Sequence, residues 1–122
     1  MPLPILIVED NTAVRGVLAK FFRLDGFEIV EAESGREALT YLRAGGAACA
    51  ILLDLRMPRM DGWAFRREQR NDPGLAQIPV IVFSGADEED RLPELDAAAV
   101  FRKPVSPTEV IAAVRELCGL PR

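Results

Sequence analysis

Residues 50–58, Ala-Ile-Leu-Leu-Asp-Leu-Arg-Met-Pro, constrain the fold of this chain more than any other stretch. Four uncharged residues lead directly into a single acid, Asp54. A short apolar run of this kind is typical of a strand buried on both faces, as in a parallel sheet covered by helices. Packing gives no reason for a carboxylate at the end of such a strand, so Asp54 is the leading candidate for a reactive group.

Short apolar runs and helical periods alternate along the whole chain. Four further strands are predicted at residues 4–8, 27–30, 79–83 and 99–102. Helical spacing, capping residues and helix stops predict five helices that end near Gly26, Gly45, Arg70, Asp96 and Gly119, the fourth of them short or irregular. This order indicates an α/β fold, with a doubly wound five-stranded parallel sheet and right-handed crossovers.

The composition limits the classes of function. At 122 residues, with 49% hydrophobic and 28% charged residues, the chain suits one compact domain. A net charge of -4 argues against direct nucleic-acid binding, and the absence of a membrane-length apolar run favours a cytoplasmic protein without membrane insertion. Histidine is absent, which excludes imidazole-based triads. Cys49 and Cys118 are expected to be buried reduced thiols.

Polar residues follow four of the predicted strands. Glu9 and Asp10 end the first strand, Asp54 the third, Ser84 the fourth and Lys103 the fifth. Because the carboxyl ends of parallel strands meet at one edge of a sheet, these side chains should converge there. Three converging carboxylates favour a hard divalent cation, and Mg²⁺ fits best. The chain has thirteen arginines but only two lysines. A lysine at the end of a strand therefore indicates that a compact positive charge is needed there, for example to neutralise a phosphoryl oxygen.

Several short motifs occur in order at these strand ends. They are Glu9-Asp10, Asp54, Met57-Pro58, Asp61-Gly62, Ser84-Gly85 and Lys103-Pro104. Together they resemble the receiver domain of bacterial two-component response regulators. The resemblance spans the whole chain and implies a flavodoxin-like sheet of strand order 2-1-3-4-5. It also implies a single receiver domain over residues 1–122, with no output domain.

The same resemblance implies a phosphoacceptor site. Asp54 would take a phosphoryl group from a phosphohistidine on a sensor histidine kinase or a histidine phosphotransfer protein. Asp10, Asp54 and the backbone carbonyl of Arg56 would ligate Mg²⁺, and Glu9 would act directly or through water. The chain would be a signalling domain, and its catalysis would extend at most to its own phosphorylation and dephosphorylation.

Other positions would carry the response to phosphorylation. Lys103 would offset charge on the phosphoryl group, and Ser84 would donate a hydrogen bond to it and draw its loop inward. The bond between Lys103 and Pro104 would be cis. The resulting change of surface would be read by a downstream target protein, which the sequence does not identify.

Some positions depart from the family pattern or suggest local roles. Val100 occupies a position that is often aromatic in receivers, and this makes an aromatic rotamer switch doubtful. Arg66 and Gln69 lie where the third helix often has apolar residues, so the helix would be looser or covered by a partner. Trp63 suits packing better than ligand binding. The side chain of Arg56 would overhang the pocket, and we hypothesise that it slows hydrolysis of the acyl phosphate by crowding water.

Two alternatives compete with a phosphorylated receiver. The first is a degenerate receiver that binds partners without phosphorylation. The second is an aspartate-nucleophile phosphatase similar to the haloacid dehalogenases. That family has its acid/base aspartate two residues after the nucleophile, whereas this chain has Arg56 there.

Overall fold

The computed structural model of the protein describes residues 3–120. The five strands are β1 (Ile5–Val8), β2 (Ile29–Ala32), β3 (Ala50–Asp54), β4 (Val80–Ser84) and β5 (Ala99–Arg102). The helices are α1 (Thr12–Leu24), α2 (Gly35–Arg43), α3 (Gly62–Arg70), a 3-10 helix (Ala86–Leu95) and α4 (Pro107–Leu117). Within residues 3–120, no helix combines the length and the apolar character needed to span a bilayer.

All strand pairs are parallel, and the sheet order is β2-β1-β3-β4-β5. The register pairs Val8 with Leu53 and Asp54 with Phe83, so the carboxyl ends of β1, β3 and β4 lie side by side. The predicted doubly wound sheet, its strand order and its five helical segments are therefore confirmed. The fourth segment is a 3-10 helix that contains Pro93, in keeping with its irregular sequence.

The core forms two layers because successive side chains of a strand point to opposite faces of the sheet. From β1, Leu6 and Val8 pack in the layer shared with α2 and α3, and Ile5 and Ile7 pack in the layer shared with α1 and α4. Strands β1, β3 and β4 are buried along their whole length. These central strands fix the positions of the residues that follow them.

Local capping explains where the four α-helices begin. The side chains of Asn11, Ser34, Asp61 and Ser106 each accept a hydrogen bond from the backbone N–H three residues later, at 2.9 to 3.4 Å. Each bond satisfies one of the N–H groups that the first turn of a helix leaves without a partner. These four polar residues therefore mark where the α-helices begin.

The second strand begins later than its apolar pattern predicts. Phe27 donates its backbone N–H to the Phe22 carbonyl at 3.0 Å and packs edge-on against the Phe22 ring, with 5.2 Å between centroids. It closes the turn after α1 instead of pairing in the sheet. β2 therefore starts at Ile29, which lies opposite Ile5.

The expectation of reduced cysteines is wrong. Cys49 and Cys118 form a disulfide, with their Cα atoms 6.0 Å apart. Cys49 immediately precedes β3 and Cys118 caps the end of α4, so the fold brings together two residues 69 positions apart. Sequence spacing carries no signal for this pairing because the contact depends on how α4 returns to the sheet.

The polar residues of α3 are neither loosely packed nor left for a partner. Arg66 is 7% exposed and donates to the carbonyls of Leu95 and Asp96 at 2.8 and 2.9 Å, and to the side-chain oxygen of Gln69 at 2.8 Å. Gln69 is fully buried and donates to the carbonyls of Leu75 and Ile78. These contacts attach α3 to the end of the 3-10 helix, which corrects the sequence-based expectation.

Replacement of Arg66 should destabilise the domain far more than replacement of its exposed neighbour. Arg66→Ala leaves two backbone carbonyls and the Gln69 side chain without their donor, so we expect a loss of about 2–4 kcal/mol in the free energy of unfolding. Arg67→Ala, on the exposed side of the same helix, should change it by less than about 0.5 kcal/mol. Urea denaturation followed by circular dichroism measures both, and equal effects would contradict the structural role of Arg66.

Candidate functional site

Three carboxylates meet at the carboxyl edge of the sheet. One carboxylate oxygen from each of Glu9, Asp10 and Asp54 lies within 4.8 Å of the other two. Glu9 and Asp54 are 6% and 2% exposed, whereas Asp10 is open to solvent. Two buried acids beside a third, exposed acid form an all-oxygen donor set that suits a hard divalent cation such as Mg²⁺.

Lys103 supplies the cation of this cluster. Its Nζ lies 2.5 Å from Asp54 Oδ1. Burial opposes the charge of the ammonium group, but the hydrogen bond to Asp54 and the charges of Asp54 and Glu9 together raise the pKa of Lys103 above its usual value. The backbone N–H of Lys103 also donates to the Ser84 carbonyl at 2.9 Å, and the peptide bond to Pro104 is cis, as the resemblance implies.

Glu9 lies in an environment that disfavours its ionised form. Burial raises its pKa to about 7, against a lowering by the Asn11 backbone N–H, while the charge of Asp54 and the contact with Asp10 raise it further. The Asn11 N–H donates to Glu9 Oε2 at 3.1 Å. Burial and the neighbouring negative charge both disfavour the Glu9 carboxylate, so added positive charge at this cluster would stabilise its ionised form.

Ser84 presents an unsatisfied hydroxyl at the end of β4. It is 1% exposed, and among residues 3–120 its Oγ is the buried side-chain polar atom that has no hydrogen-bond partner. Buried polar atoms nearly always have a partner, so an orphaned hydroxyl beside a cluster of acids indicates a place for a ligand oxygen.

Arg56 lies at the rim of the site and reaches toward the 3-10 helix. Its guanidinium contacts the Asp87 carboxylate, and its Nε lies 3.9 Å from Glu88 Oε2. The hydrogen bond from Arg56 and its charge hold the pKa of Asp87 below the usual value. Glu88 is buried and accepts the Gly85 backbone N–H at 2.5 Å. These contacts connect the loop after β3 to the loop after β4.

The loop after β3 packs tightly beneath Asp54. The Gly62 N–H donates to the Leu55 carbonyl at 2.9 Å. A Cβ on Gly62 would lie 2.8 Å from Leu55 Cα and 3.3 Å from the Asp54 carbonyl oxygen. Only glycine fits there without moving the backbone that carries Asp54, which is the physical reason for the Asp61-Gly62 motif.

An open groove of about 640 Å³ continues from the acids along the surface between α1 and α4. Its walls beyond the acids are mostly apolar, and on the α1 side they include Val14 and Val17, which are 51% and 55% exposed. The sequence pattern places these valines on the apolar stripe of a packed helix. The structure buries Leu18 and Phe22 of that stripe and leaves the valines facing solvent.

The sequence did not predict the contacts that Arg15 and Trp63 make around the site. Arg15 donates to the Glu9 carbonyl at 2.7 Å and to Glu31 at 3.1 Å, and so holds the turn after β1 against β2. Trp63 packs as expected, but its Nε1 also donates to the Arg91 carbonyl at 3.0 Å, and the Arg91 guanidinium lies 4.4 Å from the ring centroid. No local pattern signals these pairs, because their members come from different elements.

Comparison with known proteins identifies the family. Residues 5–115 match the family described as "Response regulator receiver domain". The chain belongs to the response regulator receiver family. It is therefore a receiver domain of the kind found in the response regulators of two-component systems, as its motifs indicate.

Individual relatives agree with this assignment. The chain is 35% identical over 120 residues to "Response regulator MprA" of Mycolicibacterium vanbaalenii, covering 96% of this chain and 51% of that protein. It is 36% identical over 116 residues to "Transcriptional regulatory protein SrrA" of Staphylococcus aureus, covering 93% of this chain and 46% of that protein. The receiver thus spans about half the length of these curated relatives.

A solved structure shows the same fold. The signal receiver domain of a signal transduction histidine kinase from Syntrophus aciditrophicus superposes with a TM-score of 0.87 at 30% identity, covering 95% of this chain and 89% of that one. Receivers are generally phosphorylated by histidine kinases and bind Mg²⁺ at an acidic pocket. The acidic group of this chain has the residues that such a pocket requires.

Two glycine substitutions should have opposite effects. Gly62→Ala places a methyl group against Leu55 and the Asp54 backbone, so we expect a loss of about 1–3 kcal/mol in unfolding free energy. Gly16→Ala lies on an exposed face of α1 with nothing within 4 Å, and should be neutral or stabilising by up to about 1 kcal/mol. Chemical denaturation of both variants tests this, and a neutral Gly62→Ala would contradict the tight packing.

Proposed function

We propose that this receiver accepts a phosphoryl group on Asp54 from a phosphohistidine of a sensor histidine kinase or histidine phosphotransfer protein. The observation that carries the proposal is the environment of Asp54. Its buried carboxylate is touched by Lys103 at 2.5 Å and shares an acidic cluster with Glu9 and Asp10. Core packing alone does not require this arrangement. A carboxylate nucleophile, a neighbouring ammonium group and acids able to hold a metal ion are the groups that phosphoryl transfer uses.

The transfer needs little covalent chemistry from the protein. An Asp54 oxygen attacks phosphorus, the phosphorus–nitrogen bond to the donor imidazole breaks, and the imidazole leaves with that electron pair. Asp10, Asp54 and the Arg56 carbonyl would hold Mg²⁺, with Glu9 directly or through water. The ion would offset negative charge on the phosphoryl oxygens. Lys103 is already in place to offset charge on the same group.

Ser84 would detect the phosphoryl group. Its orphaned hydroxyl gains a partner when a phosphoryl oxygen arrives, so the loop after β4 is drawn toward Asp54. That loop leads into the 3-10 helix, whose first turn contacts Arg56 through Asp87 and Glu88. Occupancy of Asp54 thereby changes a surface that a downstream target protein reads. A cytoplasmic location remains a prediction.

Residues 1–122 contain no histidine, so the donor histidine lies outside this sequence. The groove that opens on the acids has an apolar wall formed by α1, and Val14 and Val17 on that wall face solvent. We infer that the partner protein docks an apolar helix face there, which brings its phosphohistidine to Asp54. The negative charge of the site would select for a donor that carries compensating positive charge or metal.

A degenerate receiver that binds without phosphorylation remains the alternative to be tested. The residue that favours this alternative is Val100 on β5, which is 43% exposed. Because it is not aromatic, this position has no ring that could turn inward when Ser84 moves toward a phosphoryl group. An aspartate-nucleophile phosphatase fits less well. Arg56 stands where that chemistry needs an acid/base, and its guanidinium is engaged by Asp87.

Phosphorylation of Asp54 can be tested with a small phosphodonor. Incubation with acetyl phosphate and Mg²⁺ should add one phosphoryl group to the parent protein, as seen by intact mass. Chelation of the metal should reduce the rate by at least about 100-fold, because Lys103 alone would then offset the transferring charge. Asp54→Asn keeps the side-chain shape and should abolish the adduct.

Asp90→Asn is the matched control, since it removes an exposed acid from the 3-10 helix and should leave the adduct unchanged. An adduct that persists in Asp54→Asn would place the acceptor elsewhere. Failure of the parent protein to react, in a sample whose unfolding temperature still rises on addition of Mg²⁺, would favour the degenerate receiver.

The lifetime of the phosphoryl group should depend on Arg56. Its side chain lies at the mouth of the pocket, so Arg56→Ala opens a path for water, and we expect dephosphorylation to be faster by roughly 3- to 10-fold. The measurement is the decay of the adduct mass after removal of the donor. Arg67→Ala serves as the control for loss of one positive charge, and an unchanged decay in Arg56→Ala would refute the shielding role.

A further inference from the structure

The disulfide joins elements at the end of the sheet opposite the acidic site. Cys49 precedes β3 at its amino end, whereas Asp54 lies at its carboxyl end. The Cα atoms of Cys49 and Cys118 are 6.0 Å apart, within the usual range for a disulfide. Both cysteines are half-buried, so each residue keeps some contact with solvent.

The two cysteines differ in what holds them. Cys49 is anchored to the sheet, because its backbone N–H donates to the Pro4 carbonyl at 2.9 Å. Cys118 is the residue that caps the end of α4, and its N–H donates to the Val114 carbonyl at 2.9 Å. The bond therefore ties the last turn of a surface helix to a central strand.

The rest of α4 is attached by few buried groups. Val110 and Val114 are its only fully buried side chains among the described residues, with Ile111 and Ala113 partly covered. Arg115 adds contacts with Asp25 at the surface. The disulfide adds a covalent link to these non-covalent contacts at the end of the helix.

We propose that Cys49 and Cys118 form a reversible dithiol–disulfide pair, a redox modification site whose oxidation fastens the end of α4 to the sheet. The closed bond links two cysteines 69 positions apart in the sequence. It therefore lowers the conformational entropy of the unfolded chain and stabilises the folded one. The proposal does not depend on phosphorylation of Asp54, which can be measured separately.

The oxidant is a low-molecular-weight disulfide such as oxidised glutathione. One cysteine thiolate attacks the glutathione disulfide to form a mixed disulfide, and one glutathione thiolate leaves. The second cysteine thiolate then attacks the protein sulfur and releases the other glutathione thiolate. The two protein thiols lose two electrons, the glutathione disulfide gains them, and the two released thiolates take up the two protons.

The test uses the parent protein in its folded state. Starting from protein reduced with dithiothreitol, equilibration with oxidised glutathione should lower the mass by two hydrogens and block alkylation of both cysteines, and renewed dithiothreitol should reverse this while circular dichroism stays native. Reduction should lower Tm by roughly 10 °C. It should also speed hydrogen exchange at the amides of Cys118 and Leu120, in the last turn, by about tenfold or more.

The variant Cys49→Ser with Cys118→Ser is the matched control, and its Tm should not respond to dithiothreitol. Three results would overturn the proposal: alkylation of both cysteines after equilibration with excess oxidised glutathione, a bond that dithiothreitol reduces only in the unfolded protein, or the same Tm and exchange rates in the oxidised and reduced parent protein.

Discussion

The contact between Lys103 and Asp54 is the interaction on which the site depends. Like charges about 4 Å apart repel by about 4 kcal/mol at an effective dielectric constant near 20, so three carboxylates within 4.8 Å of one another are unfavourable without compensation. Lys103 offsets part of this repulsion, and burial together with the charge of Asp54 raises the pKa of Glu9 to about 7. What remains is an attraction for a divalent cation or for the positive charge of a partner.

Such an unfavourable cluster persists because the strands beneath it cannot relax. β1 and β3 are buried on both faces, and the parallel register holds Val8 beside Leu53, one residue before the acids. Moving Asp54 away from Glu9 would expose this apolar core to water. The free energy of core burial thus holds the carboxylates close together despite their repulsion. A cation that binds between them would relieve that repulsion.

The face that includes the 3-10 helix is held differently. Only Glu88 and Leu95 of that helix are buried. Polar contacts attach it at several points, among them Arg56 with Asp87, Arg102 with Glu89, Trp63 with Arg91, Arg70 with the Glu94 carbonyl, and Arg66 with the carbonyls of Leu95 and Asp96. Exposed ion pairs contribute little, whereas the buried Arg66 bonds contribute more. The start of the helix is therefore easier to release than its end, and the start adjoins the loop of Ser84.

Sequence alone determined the features that are encoded within a few neighbouring residues. The apolar run before Asp54 specifies a buried strand, Asp61 and Gly62 specify the start of α3, and the polar strand ends specify one edge for the candidate site. Tertiary structure decided the rest. It turned Phe27 onto α1, gave the buried Arg66 its carbonyl acceptors, and joined Cys49 to Cys118. The physical reason is range: caps and hydrophobic periods act between residues a turn apart, whereas these contacts form between elements that meet only after the chain has folded.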